Sequence, residues 1–230
     1  MRNHAFYPAA KAGISNEAAI SLVFDCVSEA GTDRLREILG PTSPIVVAVH
    51  AEESAGRNKI PIAYAEVLAD ALGLVTEPGI VQSSVANHSG ARSIYHRMVS
   101  QPTFAGPVQL GSAYLLVDDT CAAGGTLANL KGYIEQAGGS VVAMSVLALA
   151  RHDHPYWISL AGSTLARLCY KHPDLDSVWK REFGCGIDTL TEGEAGHLLK
   201  APSVDLIRNR LADARRDLDI ERDEGDPQGP

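Results

Sequence analysis

The chain has 230 residues, 45 % of them hydrophobic, with 28 acidic and 20 basic side chains and a net charge of −8. It has no dense Lys/Arg block, which argues against a nucleic-acid surface, and no apolar run near the ~20 residues of a membrane span. The opening Met1 to Pro8 lacks a signal-like apolar stretch, and Cys26, Cys121, Cys169 and Cys185 are widely spaced without a CxxC, so a reduced, cytoplasmic protein is expected.

In chain order, Ser15 can cap a helix over 15–30 whose Ala19, Leu22, Val23, Cys26 and Val27 share a face and which Gly31 ends. A second short helix is expected over 33–39. Ile45 to Val49 has the composition of a buried strand. Pro61 opens a helix over 61–72, with Val67, Leu68, Ala71 and Leu72 inward, and Gly73 closes it. A short strand fits 79–83. Residues 85–111 show little periodicity and read as a long excursion. An apolar strand follows at 113–117, then a helix over 126–137 on Leu127, Leu130 and Ile134, then another apolar strand at 140–149.

Strands alternating with helices predict an α/β fold with a Rossmann-like parallel sheet flanked by helices. After Ala150 the texture changes, with both tryptophans, three histidines between 152 and 172, and fewer apolar runs. A last helix is expected over 203–219, striped by Val204, Ile207, Leu211, Ala214 and Leu218. The expected organisation is an α/β domain over 1–150 (core 41–150, N-terminal helices 15–39) and a mainly helical extension over 151–219. An acidic tail over 220–230 is expected to be disordered.

Residues 114–126, Tyr-Leu-Leu-Val-Asp-Asp-Thr-Cys-Ala-Ala-Gly-Gly-Thr, carry the most chemistry. An apolar run of this kind suits a strand covered on both faces, and residues past the C-terminal end of such a strand line the ligand crevice of an open α/β sheet. Gly124 and Gly125 allow close backbone approach, and the free N–H groups at the start of the next helix favour an anion. Carboxylates repel phosphate, so Asp118 and Asp119 suit a ribose diol, or a Mg²⁺ bridging diol and pyrophosphate. If the strand continues, the two side chains point to opposite sides and take unequal roles. An ordinary strand-end turn also uses Asp and Gly, but the acidic pair followed by Gly-Gly-Thr at a helix start is a rarer combination.

This segment resembles the phosphoribosyl-pyrophosphate (PRPP) signature of type I phosphoribosyltransferases. The matching residues are Asp118, Asp119, Gly124 and Thr126; the departures are Thr120 for the usual Val and Ala123 for the usual Thr. Gly56-Arg57-Asn58, ahead of an Ala/Leu-rich helix, is similar to the pyrophosphate loop of ComF-type members. The excursion with His88, Gly90, Arg92, Tyr95, His96 and Arg97 corresponds in position to the family's closing loop. A fainter resemblance, to phosphoribosyltransferase-like proteins of bacterial mobile elements, covers Gly56–Asn58, Gly124–Asn129 and Trp179 to Glu192.

The resemblance implies transfer of ribose 5-phosphate from PRPP, with Mg²⁺, to a small-molecule acceptor, a nitrogen of the nucleobase class. Asp118 and Asp119 would hold the ribose hydroxyls, directly or through the metal. The amides of Ala122, Ala123, Gly124, Gly125 and Thr126, with the Thr126 hydroxyl, would bind the 5′-phosphate. Arg57 and Lys59 would meet the pyrophosphate, and Arg92 and the catalytic Arg97 would close over it. Two alternatives stay open: a PRPP or nucleotide sensor without turnover, prompted by Ala123 and by Glu52-Glu53, and an interaction component of a DNA-uptake or mobile-element system. His152, His154, Cys169, His172 and Cys185 could be assembled into a zinc site, but their spacing is irregular and a structural role is favoured. Tyr156 and Trp157 could stack on a base or pack in the core; Cys121 is expected to be inert. The last helix could form a homodimer or pack on its own domain.

Overall fold

A computed structural model describes residues 1–50, 58–83, 93–149 and 158–225. The chain divides into two compact units. The first gathers the described residues of 1–85, 102–122 and 126–154; the second gathers those of 86–101, 123–125 and 155–230.

The first unit begins with α1 (Tyr7–Lys11), α2 (Asn16–Cys26) and α3 (Glu29–Leu39). Ser15 caps α2 as its sequence suggests, accepting from the Ala18 amide at 3.1 Å. The helix ends at Cys26, short of the expected 30, because Ser28 starts α3 by accepting from the Gly31 amide at 3.1 Å. Gly31 is therefore inside a first turn and does not terminate a helix. A serine cap overrides the glycine here because its oxygen satisfies an amide that the helix start leaves free.

Strand β1 (Ile45–Ala48) leads to α4 (Ile60–Leu72), which Gly73 closes in the left-handed conformation at φ 68°. Short strands β2 (Val81–Gln82) and β3 (Phe104–Ala105) pair antiparallel. Helix α5 (Ile94–Val99) lies within the stretch expected to be an irregular excursion. The unit is completed by β4 (Ala113–Cys121), all of α6 (Gly125–Gln136) beyond its first residue, and β5 (Ser140–Leu149).

The main sheet is parallel, in the order β1-β4-β5. Tyr114 through Val117 are all fully buried in its central strand. Leu115 and Val117 join the core with α1–α4; strand alternation turns Tyr114 and Leu116 to the other face. The strand runs four residues beyond the expected 117, because β5 continues beside it, with Asp118 opposite Val146 and Cys121 opposite Leu149. This places Asp118 and Asp119 inside the strand. A parallel sheet flanked by helices is thus the architecture of the first unit.

The second unit holds α5, α7 (Gly162–Lys171), α8 (Leu175–Phe183), a 3₁₀ turn (Ile187–Thr189), α9 (Glu192–Leu198) and α10 (Val204–Gly225). Its core includes Tyr95, Met98, Leu168, Trp179, Leu198 and Leu211. The α10 stripe packs inward at Ile207, Leu211 and Ala214, as its spacing suggests. The helix extends to Gly225, so residues 220–225 continue it and are not part of a disordered tail. Among the described residues, no helix is long and apolar enough to cross a membrane.

Candidate functional site

The C-terminal end of β4 carries two carboxylates in unequal surroundings. Asp119 is buried, and its Oδ2 accepts from Lys11 Nζ at 2.7 Å and from Asn58 Nδ2 at 2.8 Å. Lys11 comes from the last turn of α1. Asn58 stands at the start of α4, where its Oδ1 accepts from the Ile60 amide at 3.2 Å. The two supporting segments are themselves tied, since the Lys59 amide donates to Ala10 O at 3.2 Å. Asp119 is therefore fixed by one charge-assisted bond and one amide bond from helices on either side of β1 in sequence.

Asp118 has a different balance. Its Oδ1 accepts from the Asp119 amide at 2.7 Å. Burial, and next the charge of Asp119, push its carboxyl well above the usual carboxylate range; the amide bond and the Lys11 charge oppose this without reversing it. The pair thus contains one carboxylate paired with Lys11 and one whose ionised form is disfavoured by burial and by its neighbour. Such a donor set suits a cation or a hydroxyl-rich ligand, because either relieves the charge conflict. Among the described residues, no group of three or more His, Cys, Asp or Glu forms a metal cage. A divalent ion here would keep other ligands, as Mg²⁺ commonly does with waters and phosphates.

The loop after β4 turns through Gly124 at φ 84° and enters α6 at Gly125. Residues 123–125 belong to the second unit, where the first turn of α9 holds them. Thr191 Oγ1 donates to Ala123 O at 2.6 Å. A Cβ on Gly193 would stand 2.9 Å from that same oxygen, so only glycine permits the approach. A Cβ on Gly124 would meet Ile158 Cγ1 at 3.2 Å, and one on Gly125 would lie 2.9 Å from Glu194 Oε1. Thr191 and Glu194 form a reciprocal capping box on α9. Glu194 is buried, and burial raises its carboxyl above the ordinary glutamate value.

The remaining expected residues fall in the two units or outside the described residues. Lys59 is half-buried at the start of α4, beside Asn58. Arg97 is exposed on α5, in the second unit. Its neighbour His96 engages Ser93 Oγ through Nδ1 at 2.8 Å and Asp217 Oδ2 through Nε2 at 3.0 Å, a tie between α5 and α10. Arg57, Arg92, the Glu52-Glu53 pair, His88, Gly90, His152, His154, Tyr156 and Trp157 lie outside the described residues. Cys121 is buried at the end of β4. Sequence reasoning missed Lys11, which sits in a helix of five residues with no periodicity to mark it. It also missed the Thr191-x-x-Glu194 box, whose spacing is a readable capping signal.

No family model matches this chain. It is 46 % identical over 218 residues to "Protein TraN" of Escherichia coli, covering 94 % of this chain and 48 % of that protein. It is 39 % identical over 132 residues to an uncharacterised protein of Haemophilus influenzae, covering 57 % of this chain and 29 % of the other. The chain thus spans about half the length of the first relative and under a third of the second. Among solved structures it is similar to an adenine phosphoribosyltransferase at 18 % identity and a TM-score of 0.36, over 60 % of this chain and 70 % of that one. The chemistry of the site therefore rests on this chain's own residues.

Proposed function

We propose that residues 114–126 bind PRPP and that the chain is a phosphoribosyltransferase, moving ribose 5-phosphate to a nitrogen acceptor of the nucleobase class with release of pyrophosphate. The observation that carries this reading is the unequal acidic pair at the end of the central parallel strand. Asp119 is held by Lys11 and Asn58, while Asp118 has no full counter-charge among the described residues. A fixed acceptor beside a readily protonated carboxyl suits a vicinal diol, whose hydroxyls can both donate and accept.

In the reaction, the acceptor nitrogen forms a bond to C1 of the ribose as the bond from C1 to the pyrophosphate oxygen breaks, and pyrophosphate leaves with the electron pair. The residues contribute position more than covalent chemistry. Asp119 orients the ribose, and the loop after β4 offers the amides of Ala122 to Thr126 to the 5′-phosphate. Lys59, at the α4 start, would meet the pyrophosphate; Arg57, Arg92 and Arg97 complete the proposed cationic set. The pair fits Mg²⁺ as well as a diol, and Asp118 and Asp119 are the groups that would hold the ion, whose contribution is to neutralise charge on the leaving pyrophosphate.

Calorimetry with PRPP and Mg²⁺, joined to a pyrophosphate-release assay over a panel of bases, tests the reading. Wild type is expected to bind, and Asp119→Asn to weaken binding by about 100-fold, through loss of the fixed charge and its two bonds. Absence of binding by wild type, or an unaltered Asp119→Asn, sinks the assignment. One observation favours a second reading, a PRPP or nucleotide sensor: the Ala123 carbonyl is already engaged by Thr191, and Ala123 lacks the hydroxyl usual in the family's motif. Tight binding without pyrophosphate release from any base would select the sensor.

A further inference from the structure

The two carboxylate oxygens of Glu194 face different groups. The capping box needs a single acceptor, and Oε2 supplies it, taking the Thr191 amide at 2.9 Å. The other oxygen, Oε1, is directed at the loop, 2.9 Å from the position a Gly125 Cβ would occupy. The side chain is only 6 % exposed, so water does little to screen it. Thr191 and Gly193 bring α9 against Ala123 on the same loop, so the carboxylate is held there by two further contacts.

A phosphoryl group and a carboxylate compete for the same donors and repel each other at close range. We propose that Glu194 is a specificity-determining gate on the loop, whose carboxylate opposes a phosphoryl group at Gly124 and Gly125 while α9 is docked there. This rests on the reading of residues 114–126 as a sugar-phosphate site. The gate makes occupancy of the loop conditional: a phosphorylated ligand binds when Glu194 is neutralised or its carboxylate turns from Gly125. Burial raises the Glu194 carboxyl, which lowers the cost of neutralising it. An uncharged sugar, engaging the Asp118–Asp119 end alone, is indifferent to it.

The test compares ribose 5-phosphate with ribose by calorimetry, both with Mg²⁺, on wild type, Glu194→Gln and Glu194→Asp. Glutamine keeps the capping acceptor and removes the charge. Glu194→Gln is expected to bind ribose 5-phosphate at least about tenfold more tightly than wild type, as removal of a poorly screened like charge requires. Ribose affinity is expected to stay unchanged, and Glu194→Asp, which keeps the charge, to show no such gain. Melting curves verify that each variant is folded. Wild type binding ribose 5-phosphate, with Glu194→Gln equal or weaker, overturns the gate and leaves the site assignment standing. No binding by any of the three proteins overturns the assignment and the gate together.

Discussion

At the end of β4, Asp119 has two donors, one of them the Lys11 ammonium, and Asp118 has a charge conflict that protonation relieves. At residues 123–125 the contacts are close and complete: a hydroxyl on the Ala123 carbonyl, Gly193 against the same oxygen, and a carboxylate at Gly125. The first region carries an unrelieved charge conflict. The second is held by close contacts from α9. Neighbouring stretches of sequence therefore differ in how firmly their own contacts hold them.

Three substitutions bear on this contrast. The largest effect is expected from Gly193→Ala. Its Cβ would press on Ala123 O at 2.9 Å and Ala123 Cα at 3.1 Å, backbone atoms that cannot swing aside as a side chain can. Overpacking of this kind costs about 1–3 kcal/mol, to be read as a lower urea midpoint; an unchanged midpoint would mean that the loop tip is not held as tightly as its contacts imply.

Asp118→Asn comes next and has the opposite sign. The folded-state value of Asp118 lies above its unfolded value, so ionisation costs folding stability as pH rises from near 4 toward the folded value. Replacing it is expected to raise the melting temperature at pH 7 by about 2–4 °C, and the gain should vanish below about pH 4. A gain that persists in acid would point to packing and away from charge.

The smallest effect is expected from Lys11→Met. The lysine side chain is 45 % exposed but Asp119 only 7 %, so solvent screens the pair from one end alone; Asn58 still donates to the carboxylate, and the loss should be about 1 kcal/mol in denaturant titrations. A loss of several kcal/mol would show that the acidic end is as rigidly locked as the loop end.

Much of this was legible in the sequence, for identifiable reasons. The apolar run 114–117, the Gly-Gly turn and the 126–134 periodicity each encode local structure, and each appears where expected. The length of β4 was not legible, because Asp118 and Asp119 are poor strand formers that interrupt the apolar run, and β5 holds the strand in register past them. Helix α5 is six residues long, too short for its period to stand out from a polar stretch. The partners of Asp119 come from residues 11 and 58, and the partner of Ala123 from residue 191. No spacing rule connects such positions; only the closed fold does. The Ser28 cap shows the converse failure, a local signal that was readable and was outweighed by a glycine three residues later.

The order of the sheet has a consequence for how the chain acquires its structure. Ile45 in β1 pairs with Tyr114 in β4, whereas β4 and β5 are joined through a single helix. Closing the long loop costs more entropy than closing the short one. The β4–α6–β5 unit is therefore the natural nucleus, and β1 is a late addition. During synthesis, the apolar β1 segment emerges well before its partner exists, leaving an aggregation-prone strand that α1 to α4 can shelter.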